Sequence, residues 1–182
     1  MKKKKSLSKE ILSWLKAFVI AIIIVILCRN YLFTSTTVYG ESMEPTFSEH
    51  DRIIIGKQTK ISRFDIVVFQ SPNSEEYFIK RVIGLPGDHI EMKDDVLYIN
   101  GKKYHEPYLK KENELSIRNM IGDFTLQELT GEPVVPEETL FVLGDNRLNS
   151  YDSRFFGFIP NDSVIGEVKF RYFPLDKIGI PD

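Results

Sequence analysis

Lys80 is the residue of this chain whose type and setting most directly suggest chemistry. It lies in Tyr77-Phe78-Ile79-Lys80-Arg81-Val82-Ile83, an aromatic and β-branched run ended by Gly84, Pro86 and Gly87, which predicts a strand. Alternation puts Lys80 on one face with Phe78 and Val82, and Arg81 on the other with Tyr77, Ile79 and Ile83. An arginine among apolar neighbours keeps its proton and is structural. A lysine there can lose its proton, because burial disfavours the ammonium, and the neutral amine is then a base. On this stretch alone the better reading is a lysine that snorkels to water from a strand edge. A base also needs a nucleophile. Ser42, in Gly40-Glu41-Ser42-Met43-Glu44-Pro45-Thr46, is the candidate: Gly40 frees the backbone and Pro45 forbids a helix, so its hydroxyl is presented from a stiff turn. By itself it reads as an ordinary turn serine. A third stretch, Gly144 to Gly157, is dense in Asp, Asn, Arg and Ser between Phe141-Val142-Leu143 and Phe155-Phe156, which suits the supporting shell of a site as well as a solvated turn.

The elements that must position these residues read as short strands. Runs with period two cover Thr34 to Tyr39, Asp51 to Gly56, Phe64 to Gln70, the Lys80 strand, His89 to Met92, Thr139 to Leu143 and Val164 to Tyr172. Asn100-Gly101 between Val96–Ile99 and Lys102–His105 predicts a hairpin with a type I′ turn. No series of amphipathic helices is present, so the expected fold is an all-β domain of short antiparallel strands over 34–182. Residues 108–136 are the least regular and are expected to be a surface insertion, with a short helix near Leu126.

Ahead of this domain stands an apolar run without a polar residue from Ala17 to Cys28. Extended to 11–33 it makes a helix of about 34 Å, enough to cross a bilayer, with Trp14 and Tyr31 near its ends. Residues 1–30 hold seven Lys/Arg against one Glu, and the remainder 17 against 25 Asp/Glu. This asymmetry predicts a basic cytosolic segment over 1–10, a single transmembrane α-helix over 11–33 and an extracytoplasmic domain. Confined to one end, the basic block is no nucleic-acid footprint. A cleaved signal peptide shares the basic start and apolar core, but no small-x-small pattern follows the core here. The lone Cys28 permits no intrachain disulfide. His50, His89 and His105 lack zinc-motif spacing and a Ser/His/acid arrangement, and no glycine-rich phosphate loop occurs, so neither metal nor cofactor is predicted.

Taken together, Ser42-Met43-x-Pro45-Thr46, Lys80-Arg81-Val82-Ile83-Gly84-x-Pro86-Gly87-Asp88 and Gly144-Asp145-Asn146-Arg147-x-x-Ser150-x-Asp152-Ser153-Arg154-x-x-Gly157 closely resemble the type I signal peptidases. These are membrane-bound Ser/Lys proteases that remove signal peptides from exported proteins. The resemblance covers the whole exported domain, and the single span is similar to the compact Gram-positive form. It implies Ser42 as nucleophile, Lys80 as general base and Ser150 as the hydroxyl that orients the Lys80 amine. Asp145, Arg147, Asp152 and Arg154 become an ionic scaffold, with Arg81 a partner of Asp145. It further implies an oxyanion held by the Ser42 backbone N–H; some members add a hydroxyl two residues earlier, where this chain has Gly40. Val38, Met43 and Ile79 are expected to line pockets for small substrate side chains, with Thr37–Tyr39 and Tyr77–Ile79 as backbone edges for an added strand. The expected partners are preproteins with small-x-small cleavage sites, the lipid bilayer and the secretion translocon. Two alternatives stay open: a self-cleaving Ser/Lys repressor, and an anchored β-domain that binds exported peptides without cleaving them.

Overall fold

A computed structural model describes residues 3–109 and 122–181. Helix α1 (Lys3–Leu27) starts within the basic segment and continues into a π-helical turn, Cys28–Leu32. Lys9–Leu32 is long and apolar enough to cross a membrane, and none of it is buried against the rest of the chain. Strand β1 (Phe33–Thr37) begins immediately, without a linker.

The strands β2 (Arg52–Gly56), β3 (Ile66–Gln70), β4 (Tyr77–Gly84), β9 (Thr139–Leu143), β10 (Ile159–Pro160) and β11 (Val164–Phe173) join β1 in a seven-stranded antiparallel sheet of order β1-β2-β11-β3-β4-β9-β10. A second sheet, of order β7-β6-β5-β8, is built from β5 (Ile90–Lys93), β6 (Val96–Ile99), β7 (Lys102–Tyr104) and β8 (Phe124–Thr125). The predicted hairpin is present, with Asn100 and Gly101 both at positive φ as a type I′ turn requires. The expected all-β domain behind one N-terminal helix is therefore the fold observed.

Period two is visible in the core. Along β3, Ile66 and Val68 join Val38, Met43, Phe47 and Ile53 on one face, while Val67 and Phe69 join Val82, Val142 and Ile159 on the other. β3 is thus buried on both faces, which is why it reads as a continuous apolar run. A third cluster, with Ile83, Ile90, Leu97, Phe124, Leu126 and Phe141, fastens the second sheet to β4 and β9.

The surface insertion expected over 108–136 needs correction in its second half; residues 110–121 lie outside the described residues. Phe124 and Thr125 pair with β5, and Phe124, Leu126 and Val135 are buried. The short helix near Leu126 is present as α2 (Leu126–Thr130), opened by a capping box between Thr125 and Glu128. Its apolar residues are too few and too irregularly spaced to signal a core element, and only packing against the second sheet makes them one.

Candidate active site

Strand β4 is the element on which the site is assembled. Its C-terminal half pairs with both neighbours, β3 through Ile66↔Arg81 and β9 through Arg81↔Leu143, Val82↔Val142 and Gly84↔Phe141. Its N-terminal half, Tyr77 to Lys80, pairs with β3 alone and leaves its other edge unpaired by β9. Lys80 stands where the two halves meet.

Its ammonium nitrogen donates to the Ser42 hydroxyl at 2.7 Å. Lys80 is only 4% exposed, and its Nζ lies 5.4 Å from the Phe78 ring centroid. Burial lowers its pKa from 10.5 to about 8; the charges of Asp152 and Asp145 oppose the shift, and Arg154 adds to it. Snorkelling is therefore not what this lysine does.

Ser42 sits in the turn between β1 and β2. Its carbonyl accepts the Asn146 N–H at 2.9 Å, and the Glu41 carbonyl accepts from Asn146 Nδ2 at 3.1 Å. The turn is pinned inward by Met43 and Phe47, both fully buried. Gly40, in the left-handed region at φ 76°, has open space where a side chain would be.

The third motif, leaving β9, packs behind the pair. Arg81 makes a bidentate ion pair with Asp145, at 2.9 Å from Nε and 2.7 Å from Nη2, and Thr46 Oγ1 donates to the same carboxylate at 2.5 Å. Asp152 accepts from Arg154 and from the Gly144 N–H and caps the short helix α3 (Ser153–Phe156). Arg147 donates Nε to the Gly144 carbonyl, but its carboxylate partner is Glu106, not one of the motif aspartates. Ser150 Oγ is buried and makes no hydrogen bond among the described residues. It lies against Gly144, where an added Cβ would be 2.2 Å from Ser150 Oγ and 2.5 Å from the Ser42 carbonyl oxygen.

The pair opens into a cleft of about 240 Å³ lined by Val38, Tyr39, Ser42, Ile53, Val68, Ile79 and Lys80, with Phe78 and Tyr151. Val38 and Ile79 are in its walls as the sequence suggested. Met43 is not: it is fully buried in the cluster that backs Val38 and Ile79. Sequence reasoning missed Thr46, Glu106, Tyr108 and Tyr151. Tyr108, whose ring lies 3.8 Å under the Arg81 guanidinium, and Glu106 border the irregular stretch, and only the fold brings them to Arg81 and Arg147. Tyr151 occupies a variable slot of the third motif.

The site thus sets a desolvated amine against a serine hydroxyl, beside a strand edge that β9 leaves unpaired and an apolar cleft. The sequence profile of the family described as "Signal peptidase, peptidase S26" matches residues 11–173. Signal peptidase I of Bacillus caldolyticus is 47% identical over 163 residues, covering 87% of this chain and 89% of the relative. Signal peptidase I T of Bacillus subtilis (strain 168) is 42% identical over 182 residues, covering 96% and 91%. Among solved structures, the crystal structure of a signal peptidase I from Enterococcus faecalis V583 is 49% identical with a TM-score of 0.57, covering 60% of this chain and 97% of that one. The chain belongs to the signal peptidase family, peptidase S26, and is an enzyme of the type I class.

Proposed function

We propose that this protein is a membrane-anchored serine endopeptidase that removes signal peptides from exported preproteins, with Ser42 as nucleophile and Lys80 as general base. The observation that carries the reading is the 2.7 Å contact between a buried amine and the Ser42 hydroxyl. The neutral amine takes the Ser42 proton as Oγ attacks the scissile carbonyl, and the ammonium so formed protonates the leaving amine. The Ser42 N–H meets the developing oxyanion, a donor typically worth about 3 kcal/mol. Ser150 supplies the acceptor that holds the ammonium after Ser42 has given its proton up; its buried, unbonded hydroxyl supports that role. Arg81, Asp145, Arg147, Asp152 and Arg154 keep the three motifs in register.

The substrate, extended beyond its own apolar helix, adds as a strand along the free edge of Tyr77–Ile79 and seats small side chains against Val38 and Ile79. The anchor is the Lys9–Leu32 helix, with the N-terminus cytosolic and the β domain outside, next to the translocon from which substrates emerge.

The test is cleavage of a radiolabelled preprotein by the purified full-length protein. Ser42→Ala and Lys80→Arg should each lose at least about 10³-fold in kcat while retaining their circular dichroism, and the double variant should be little worse. Near-normal turnover by Lys80→Arg, which holds the charge but never a free base, returns Lys80 to a structural cation.

A further inference from the structure

The turn carrying Ser42 is held from behind by a residue outside all three motifs. Arg171, on β11, donates Nη1 to the Thr46 carbonyl at 2.7 Å and to the Asp51 carboxylate at 3.0 Å, and Nε to the Lys177 carbonyl at 2.7 Å. Its guanidinium lies 5.4 Å from the Phe47 ring centroid. The Asp51 carboxylate, almost completely buried, also accepts the Ser48 N–H at 3.1 Å. Lys177 belongs to a C-terminal hook, residues 174–181, which turns back so that Gly179 exchanges two backbone hydrogen bonds with Arg171, at 2.8 and 3.0 Å. One guanidinium therefore ties together the nucleophile turn, the loop entering β2 and the C-terminal hook.

Thr46 is the junction between this assembly and the reacting pair. Its carbonyl belongs to Arg171, while its hydroxyl donates to Asp145, the partner of Arg81. The neighbouring Asn146 N–H holds the Ser42 carbonyl. The short turn from Ser42 to Thr46 is thus fastened at one end to the third motif and at the other to Arg171, and slack at either end moves the Ser42 hydroxyl. A planar, multi-donor fork can reach acceptors lying in different directions, and an ammonium on a flexible stem cannot replace it.

We propose that Arg171 and the C-terminal hook form a positioning clamp that holds Ser42 against Lys80. The proposal rests on reading Ser42 and Lys80 as the reacting pair. Arg171 touches neither; it acts through Thr46. When the clamp is loosened, Ser42 leaves the amine and water reaches it, so turnover falls and Lys80 recovers the solvation that burial removed.

The experiment compares full-length wild type with Arg171→Ala, Arg171→Lys and a chain ended after Phe173. A peptide carrying a small-x-small site is the substrate, and rates are normalised to folded protein by circular dichroism. The clamp predicts a kcat lower by about 10- to 100-fold, as for an ångström-scale misplacement, in all three. KM should change little, and the alkaline-rising limb of the rate should move to higher pH. Guanidinium ion at millimolar concentration should restore part of the kcat of Arg171→Ala and nothing to wild type. A loss of activity that follows the loss of folded protein, with the limb unmoved and no rescue, overturns the clamp and leaves Arg171 a stability residue. Unchanged kcat in Arg171→Ala overturns it too. Failure of the wild type to cleave, or a limb that survives Lys80→Arg, overturns the reading of the pair instead.

Discussion

At the scale of single residues, the property of Lys80 that the fold changes is its solvation. A free lysine, near 10.4, is almost wholly protonated at neutral pH; at about 8, roughly a tenth of the Lys80 amines are neutral at pH 7. Under the proposed role of Lys80 as general base the reactive form is the deprotonated one, so kcat/KM should rise with pH and level off above about 8, which a pH–rate profile with a small peptide checks. A midpoint near 10 shows instead a solvated lysine. The same shift costs stability. The folded pKa lies below the unfolded value, so the unfolded chain binds more protons between about 8 and 10.5, and stability rises with pH across that window. Lys80→Met should therefore be more stable to unfolding than wild type at pH 7, by on the order of 3 kcal/mol, the gain fading as the pH passes 8 towards 10.5. Ser150→Ala removes a hydroxyl with no hydrogen bond among the described residues, so its melting temperature should hardly change. Steady-state kinetics should show its kcat falling by a larger factor than its KM changes, because the group acts on the base and not on the substrate. A change in KM alone reassigns Ser150 to substrate binding.

At the scale of elements, the site depends on β9 pairing with only the C-terminal half of β4 and on how closely the third motif follows β9. Gly144 is the contact point. Neither neighbour that its added Cβ would meet is the far end of a flexible side chain: one is the buried Ser150 hydroxyl, the other the backbone carbonyl of Ser42. Gly144→Ala must push the nucleophile turn and the Ser150 segment apart. A cost of about 1–3 kcal/mol in thermal unfolding is expected from overpacking, alongside a loss in kcat on the order of 10²-fold from misplacement. A Gly144→Ala enzyme with wild-type kcat shows that the segments separate without disturbing the pair.

At the scale of the whole molecule, the sheet register relates the site to the anchor. Phe33, the first residue after the helical segment, pairs with Gly56, Gly56 with Glu167, Glu167 with Val67 and Val67 with Lys80. Lys80 therefore lies in the same cross-strand row as the chain's exit from the helix, about 19 Å away across four strand spacings. Lys57 reinforces that junction, its N–H donating to the Leu32 carbonyl and its Nζ to the Asn30 carbonyl. In the proposed orientation, with the N-terminus cytosolic, such a row would hold the cleft close to the outer face, where an extended cleavage region would leave the bilayer. Protease added outside intact protoplasts should digest the chain from Phe33 onward and spare Met1 to Lys9, as terminal-specific antibodies would show. Protection of the β domain reverses the orientation.

Much of the fold was legible in the sequence, because strands and turns obey local rules. Alternation around Lys80, the Asn100-Gly101 turn and the unbroken apolar run are short-range signals, and each produced the element it predicts. The three motifs pointed to the candidate pair because hydrolysis needs particular residue types, whatever lies between them, and folding brings Ser42 and Lys80 into contact. Tertiary structure alone decided what depends on solvation and on distance through space. Lys80 is a base candidate and not a snorkelling cation because β9 stops short of it and Ser42 arrives from 38 residues away. Met43 became floor instead of pocket wall for the same kind of reason: its apolar character was plain, but its direction was set by the cluster it joined. Glu106 carries no local sign of its role, since a carboxylate in the loop after β7 acquires a partner only when folding buries Arg147 beside it. Arg171 reads as one cation in a strand, and its three acceptors, in the nucleophile turn, the loop before β2 and the C-terminal hook, exist as a set only after the chain has closed on itself.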